Sequence, residues 1–117
     1  MKVEKQEKVT EGEHAYEAWR NDFFAKPENQ ALYEQEAPKV DLWLQLVEAR
    51  QAAGLTQVEV AKRLGVSQAQ VARIEKRGYD AYTLNTLRRY VQALGEEFSL
   101  EVKVRQEKQD TAFAEVS

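Results

Sequence analysis

Residues 57–74 read Gln57-Val-Glu-Val-Ala-Lys-Arg-Leu-Gly-Val-Ser-Gln-Ala-Gln-Val-Ala-Arg-Ile74, and this stretch decides the fold. It predicts two short helices joined by a tight turn. Ala61 stands where the second helix must cross the first, and a larger side chain there would push the two apart. Gly65 can take the left-handed conformation that the turn demands. Val60, Leu64, Val66, Val71 and Ile74 hold the inward positions. Thr56 with Glu59, and Ser67 with Gln70, have the spacing of capping boxes. Each feature alone is common in helical hairpins. Together they predict a helix-turn-helix, whose second helix enters a DNA major groove. The polar face of that helix begins Ser67-Gln68-Ala69-Gln70 and continues with Arg73, Lys76 and Arg77. Glutamine can bond an adenine edge, arginine a guanine edge, and an alanine methyl can touch a thymine methyl.

Moving outward, a helix is expected from Pro38 to about Ala53, with Leu42, Leu46, Ala49 and Ala53 on one face and Gly54 as its stop. The second helix of the motif is expected to end near Arg77, closed by Gly78, with a polar aromatic loop over 78–82. Thr83 then opens a helix with Leu84, Leu87, Val91 and Leu94 inward, and Gly95 ends it. The period next changes to two. Phe98, Leu100, Val102 and Val104 alternate with Ser99, Glu101, Lys103 and Arg105, which predicts one strand. A lone strand leaves backbone groups unpaired, and the economical partner is the same strand of a second copy across a two-fold axis. Upstream, Tyr16, Trp19 and Phe23 recur at helical spacing, and breaks are expected at Lys26-Pro27-Glu28 and Glu36-Ala37-Pro38. The resulting divisions are a flexible lead (1–13), a helical extension (14–41), a DNA-binding domain (42–95), a dimerisation strand (96–105) and a flexible tail (106–117).

The chain has 117 residues, enough for one domain with a modest core. Its formal net charge of -3 is unevenly spread. Residues 42–95 hold 8 basic and 4 acidic side chains, whereas residues 1–41 hold 6 and 10. A basic centre between acidic flanks suits phosphate contact in the middle and a different partner at the ends. There is no cysteine, no membrane-length apolar run and no apolar signal core at the N-terminus, which makes a cytoplasmic location the expectation. An enzyme is not expected. The one histidine, His14, lies beside the polar lead, and neither a metal-ligand spacing nor a glycine-rich phosphate loop occurs. No metal and no cofactor is expected.

Residues 46–94 resemble the XRE/Cro-like (lambda-repressor-like) helix-turn-helix family. The resemblance implies a mainly α, five-helix domain that acts as a homodimer on palindromic double-stranded operator DNA. By position it implies that Gln57 meets a phosphate or the first base, that Gln68, Ala69 and Arg73 face bases, and that Ser67, Gln70 and Arg77 lie at or near the backbone. It also implies a partly buried structural ion pair between Arg50 and Glu75. The flanks, 23–40 and 98–104, are similar to HigA-type antitoxins of type II toxin–antitoxin modules. That similarity implies a partner, a small basic RelE/HigB-like ribonuclease, and repression of the antitoxin's own operon. The lead at 1–13 is longer than such proteins need.

Two functional readings follow. In the first, the chain is an antitoxin and autorepressor. Its toxin contact is then the acidic N-terminal third with Tyr16, Trp19, Phe23, Phe24 and Tyr33, because an acidic surface steers and neutralises a basic partner. The same aromatics can instead pack on the 42–53 helix as core, and the two roles are compatible. In the second reading the chain is a stand-alone repressor without a toxin. In both, Phe98, Leu100, Val102 and Val104 are the expected dimerisation residues.

Overall fold

A computed structural model describes residues 2–5 and 11–107, in which five helices and two short strands follow one another. They are β1 (Lys2–Lys5), α1 (Glu11–Ala25), α2 (Pro27–Ala52), α3 (Gln57–Leu64), α4 (Gln68–Ala81), α5 (Leu84–Ala93) and β2 (Phe98–Glu101). The helix boundaries follow local chemistry. Lys26 is extended (φ -88°, ψ 125°), as a residue before proline prefers, and Pro27 opens α2. Asn29 and Gln30 reach back from the first turn of α2 and donate to the carbonyls of Phe23 and Phe24, at 2.9 and 2.7 Å. Those contacts satisfy carbonyls that the end of α1 leaves open. The break expected at 36–38 is a kink inside one long helix, with Glu36 at φ -132°, ψ 39°. Pro38 has no N–H to donate and its ring crowds the preceding turn, so the backbone deviates just upstream of it.

α2 organises the molecule because it is apolar on two sides. Leu42, Leu46 and Ala49 join Val60, Val71, Ile74, Leu87, Tyr90 and Val91 in the larger core. Val40, Leu44 and Val47 face the other way and meet Tyr16 and Phe23 of α1, with Trp19, Phe24, Tyr33 and Trp43 packed around them. A helix buried on two faces needs a layer on each side. The second layer is α1.

Three expectations need correction. First, α4 does not stop at Arg77 but runs through Gly78 to Ala81. Gly78 is a packing glycine: a Cβ there would stand 2.8 Å from Leu87 Cδ2 and 3.6 Å from Leu46 Cδ1. Second, residues 2–5 of the supposed flexible lead are a strand, and 11–13 already belong to α1. β1 pairs antiparallel with β2, Val3 opposite Leu100, and the Val3 N–H also donates to Gln45 Oε1 at 3.1 Å. The strand partner sought in a second copy is supplied on this edge by the chain itself. With one apolar residue in four, Lys2–Lys5 is too short to show a period. Third, β2 ends at Glu101, so Val102 and Val104 lie beyond the strand and are 47% and 97% exposed. Residues 6–10, and the tail from 108 onward, lie outside the described residues.

Candidate nucleic-acid interface

The interface is built on a turn. Thr56 Oγ1 accepts from the Glu59 N–H and Glu59 Oε1 accepts from the Thr56 N–H, both at 3.1 Å, which starts α3 with a complete capping box. The Thr56 N–H, and then the Thr56 hydroxyl that also donates to Oε1 at 3.0 Å, favour the ionised carboxylate and hold the Glu59 acid below its ordinary range. Gly65 ends α3 at φ 71°, and the next N–H, of Val66, returns to the Ala61 carbonyl at 3.0 Å. Ser67 Oγ then accepts from the Gln70 N–H at 3.1 Å and starts α4. Ala61 is buried at the crossing. Val60, Val71 and Ile74 are buried, and Leu64 and Val66 are half-buried against the same core.

This arrangement leaves one face of α4 in solvent. Ser67, Gln68, Ala69, Gln70, Arg73, Lys76 and Arg77 are all exposed. Among the described residues, Arg73 and Arg77 form no ion pair. Lys76 lies over the Trp43 ring, its Nζ 5.7 Å from the centroid. Near the far end of α4, Lys39 bridges Glu36 and Asp80 at 3.2 and 2.9 Å. A helix with amides and a small residue at its N-terminus, and cations further along, can place donors and acceptors against base edges and cations against phosphates.

The buried side of α4 is held by one carboxylate. Glu75 is 2% exposed and collects bonds from three other helices. Arg50 Nε of α2 stands 2.6 Å from Oε2, Gln57 Nε2 of α3 donates to Oε1 at 2.9 Å, and the Tyr90 hydroxyl of α5 donates to Oε2 at 2.5 Å. Arg50 Nη1 also donates to the Leu55 carbonyl at 3.0 Å. Burial, and then the Glu75 charge, push the Tyr90 phenol well above its ordinary pKa, so it stays a neutral donor. A buried ion pair is costly unless its remaining lone pairs are satisfied. Here they are, and α4 is tied to α2, α3 and α5 at one point.

The structure thus joins Arg50 to Glu75 and places six of the seven residues assigned to DNA on one exposed face. Gln57 differs: it is half-buried at the start of α3, with its amide nitrogen engaged inward. The residues assigned to a toxin contact turn inward to different degrees. Tyr16 and Phe23 are buried, and Trp19, Phe24 and Tyr33 are half-buried in a chain of ring contacts 5.1–6.0 Å apart. Burial, then the nearby Glu48 charge, push the Tyr16 phenol up to about 12. The inward faces of these rings belong to a second core, and Trp19, Phe24 and Tyr33 keep part of their surface in solvent. Among the assigned dimerisation residues, Phe98 is buried in the chain's own core and Leu100 is half-buried, while Val102 and Val104 are exposed. Leu84, expected inward, is 51% exposed, and Tyr90 takes the core position. Tyr90 was missed as a site residue. Its signal was the Leu87 to Tyr90 spacing of three, since a buried tyrosine needs a partner for its hydroxyl.

Residues 46–100 match the family described as helix-turn-helix, from the second half of α2 to β2. The chain is 42% identical over 62 residues to a protein of Mycobacterium tuberculosis (strain ATCC 25618 / H37Rv) named "Putative antitoxin HigA2". The aligned stretch covers 53% of this chain and 61% of that relative's length, less than two thirds of it. No solved structure gives a significant match. Among the described residues no helix is long and apolar enough to cross a membrane.

Proposed function

We propose, on the premise that residues 46–100 are a helix-turn-helix domain, that this protein is a sequence-specific DNA-binding antitoxin that represses its own operon. The observation that carries the DNA-binding half is the exposed face of α4, which is polar at its N-terminus, basic further on, and fixed from behind by Glu75. Two copies would set their α4 helices in successive major grooves about 34 Å apart. The relative's name supports the antitoxin half. The partner is then a small basic RelE/HigB-like ribonuclease. With Tyr16 and Phe23 buried, its contact falls to the exposed acids Glu17, Asp22, Glu28 and Glu34 on α1 and the first half of α2.

The test is co-purification from the native host, followed by neutralisation assays with charge-reversal variants. Glu17→Lys with Asp22→Lys should weaken capture of the basic partner and spare operator binding. If both functions are unaffected, the toxin contact lies elsewhere. A second reading, a stand-alone repressor, is favoured by one observation: Tyr16 and Phe23, two of the aromatics that could have anchored a partner, are buried. Recovery of the pure chain alone from its host would select that reading.

A further inference from the structure

One cation on the exposed face of α4 is held from outside the helix-turn-helix. Lys76 Nζ lies 5.7 Å from the centroid of the Trp43 ring, which belongs to α2 and precedes the matched residues 46–100. On an isolated helix the acid one turn on, Asp80, would draw this lysine. Here Lys39 of α2 takes that carboxylate at 2.9 Å, and among the described residues Lys76 forms no ion pair. The ring is itself fixed. Phe23 and Trp19 of α1 meet it in edge contacts, with centroids 5.1 and 5.9 Å away and interplanar angles of 90° and 73°. Lys76 and Arg77 share a hollow of about 460 Å³ with Trp43, and both cations are exposed. Lys76 follows Arg73 by three residues, which sets the two on adjoining positions of one helix face.

We infer that Trp43 is a positioning residue for DNA binding, and that it acts by holding Lys76 ready for a backbone phosphate. The inference rests on the DNA-binding reading of α4. A lysine is a point charge on a flexible stem, which loses much rotamer freedom when it is ordered. A ring that already orders the stem removes part of that cost from the binding step. An ammonium has several donors, and those turned away from the ring remain free to meet phosphate oxygens. A cation–π contact at an exposed site corresponds to roughly two- to fivefold in an equilibrium. The N-terminal extension thereby serves the DNA face: the rings of α1 set Trp43, and Trp43 sets Lys76.

The experiment titrates a labelled duplex from upstream of the chain's own reading frame, beside an unrelated duplex of equal length, at several salt concentrations. Lys76→Gln should weaken binding to both duplexes alike, and lower the slope of log affinity against log salt by about one. Trp43→Leu should weaken binding roughly two- to fivefold in the original chain and change nothing further in the Lys76→Gln chain. Trp43→Phe keeps a ring face and should lose less than Trp43→Leu. A thermal melt confirms that each variant folds; if Trp43→Leu does not, the same comparison made with Trp43→Phe decides. An equal loss in both backgrounds would make Trp43 a packing residue only and overturn the inference. An unchanged salt slope for Lys76→Gln, with the original chain still binding, overturns it as well. Failure of the original chain to bind either duplex overturns the DNA-binding reading itself.

Discussion

Arg73 and Tyr90 occupy opposite sides of α4's surroundings, and their substitutions should read out differently. Arg73 is exposed, so Arg73→Ala should leave the melting temperature unchanged. In an operator titration it should cost roughly 1–3 kcal/mol and relax base preference at one position. Unaltered affinity would remove Arg73 from the groove. Tyr90→Phe keeps the ring and removes a donor to a buried carboxylate. Hydrogen bonds to charged groups contribute about 1.5–3 kcal/mol, so the denaturation midpoint should fall accordingly. The pH dependence has a definite sign. The folded-state pKa of Tyr90 lies well above 10.0, so its stabilisation is complete below the unfolded value and is lost as pH rises from there through the folded one. Tyr16, raised to about 12, adds to the same alkaline loss. Tyr90→Phe should therefore be less stable at neutral pH yet decline less steeply above pH 10. An unchanged slope would place the alkaline loss on other groups.

At the level of elements, the start of α3 and the passage of α4 across α5 are the sensitive points. Thr56→Ala removes one half of the capping box and should cost about 1 kcal/mol in a denaturant titration. Glu59, the other half, has its pKa lowered by those same bonds. Its contribution is thus present above the ordinary carboxylate range and is lost as pH falls through the lowered folded value. In Thr56→Ala that acid-side loss should shrink; a full-sized loss would assign it to other acids. At Gly78 two effects compete. Alanine gains roughly 0.5–1 kcal/mol of helix preference but brings a Cβ to 2.8 Å from Leu87 Cδ2, so Gly78→Ala should be near neutral. Gly78→Val adds bulk that the packed Leu87 and Leu46 cannot yield to, and should cost roughly 1–3 kcal/mol. Equal melting temperatures for the two would mean that α5 moves aside freely.

For the whole molecule, the shared α2 decides what can be removed. Deleting the N-terminal third would strip Tyr16 and Phe23 from Val40, Leu44 and Val47 and expose the second core. Surface charge reversals therefore separate partner binding from folding, and truncation does not. A dimer must use a surface that the single chain leaves open. Leu84, Leu100 and Val102 line one hollow with Asn85 and Arg88, beside the end of β2. Val102→Asp should give monomers in sedimentation and weaken binding to a two-fold operator. An intact dimer would place the contact elsewhere.

Residues 57–74 determined the two helices, their turn and their caps without help from the rest of the chain, because each depends on contacts within a few residues. Thr56, Gly65 and Ser67 act on their own backbone, and the apolar spacing says which face turns inward. The ion pair of Arg50 with Glu75 was legible only through a family resemblance, since 25 residues separate the partners. Tertiary structure alone decided that Gly78 is a contact and not a stop, that Leu84 is outside and Tyr90 inside, and that the N-terminal aromatics are core. It also decided that β2 finds a partner at Lys2–Lys5, and that Gly12 of α1 lies against the Gln51 carbonyl of α2. Those outcomes depend on which distant segments share one volume. Periodicity marks a buried face but does not name the element that will cover it.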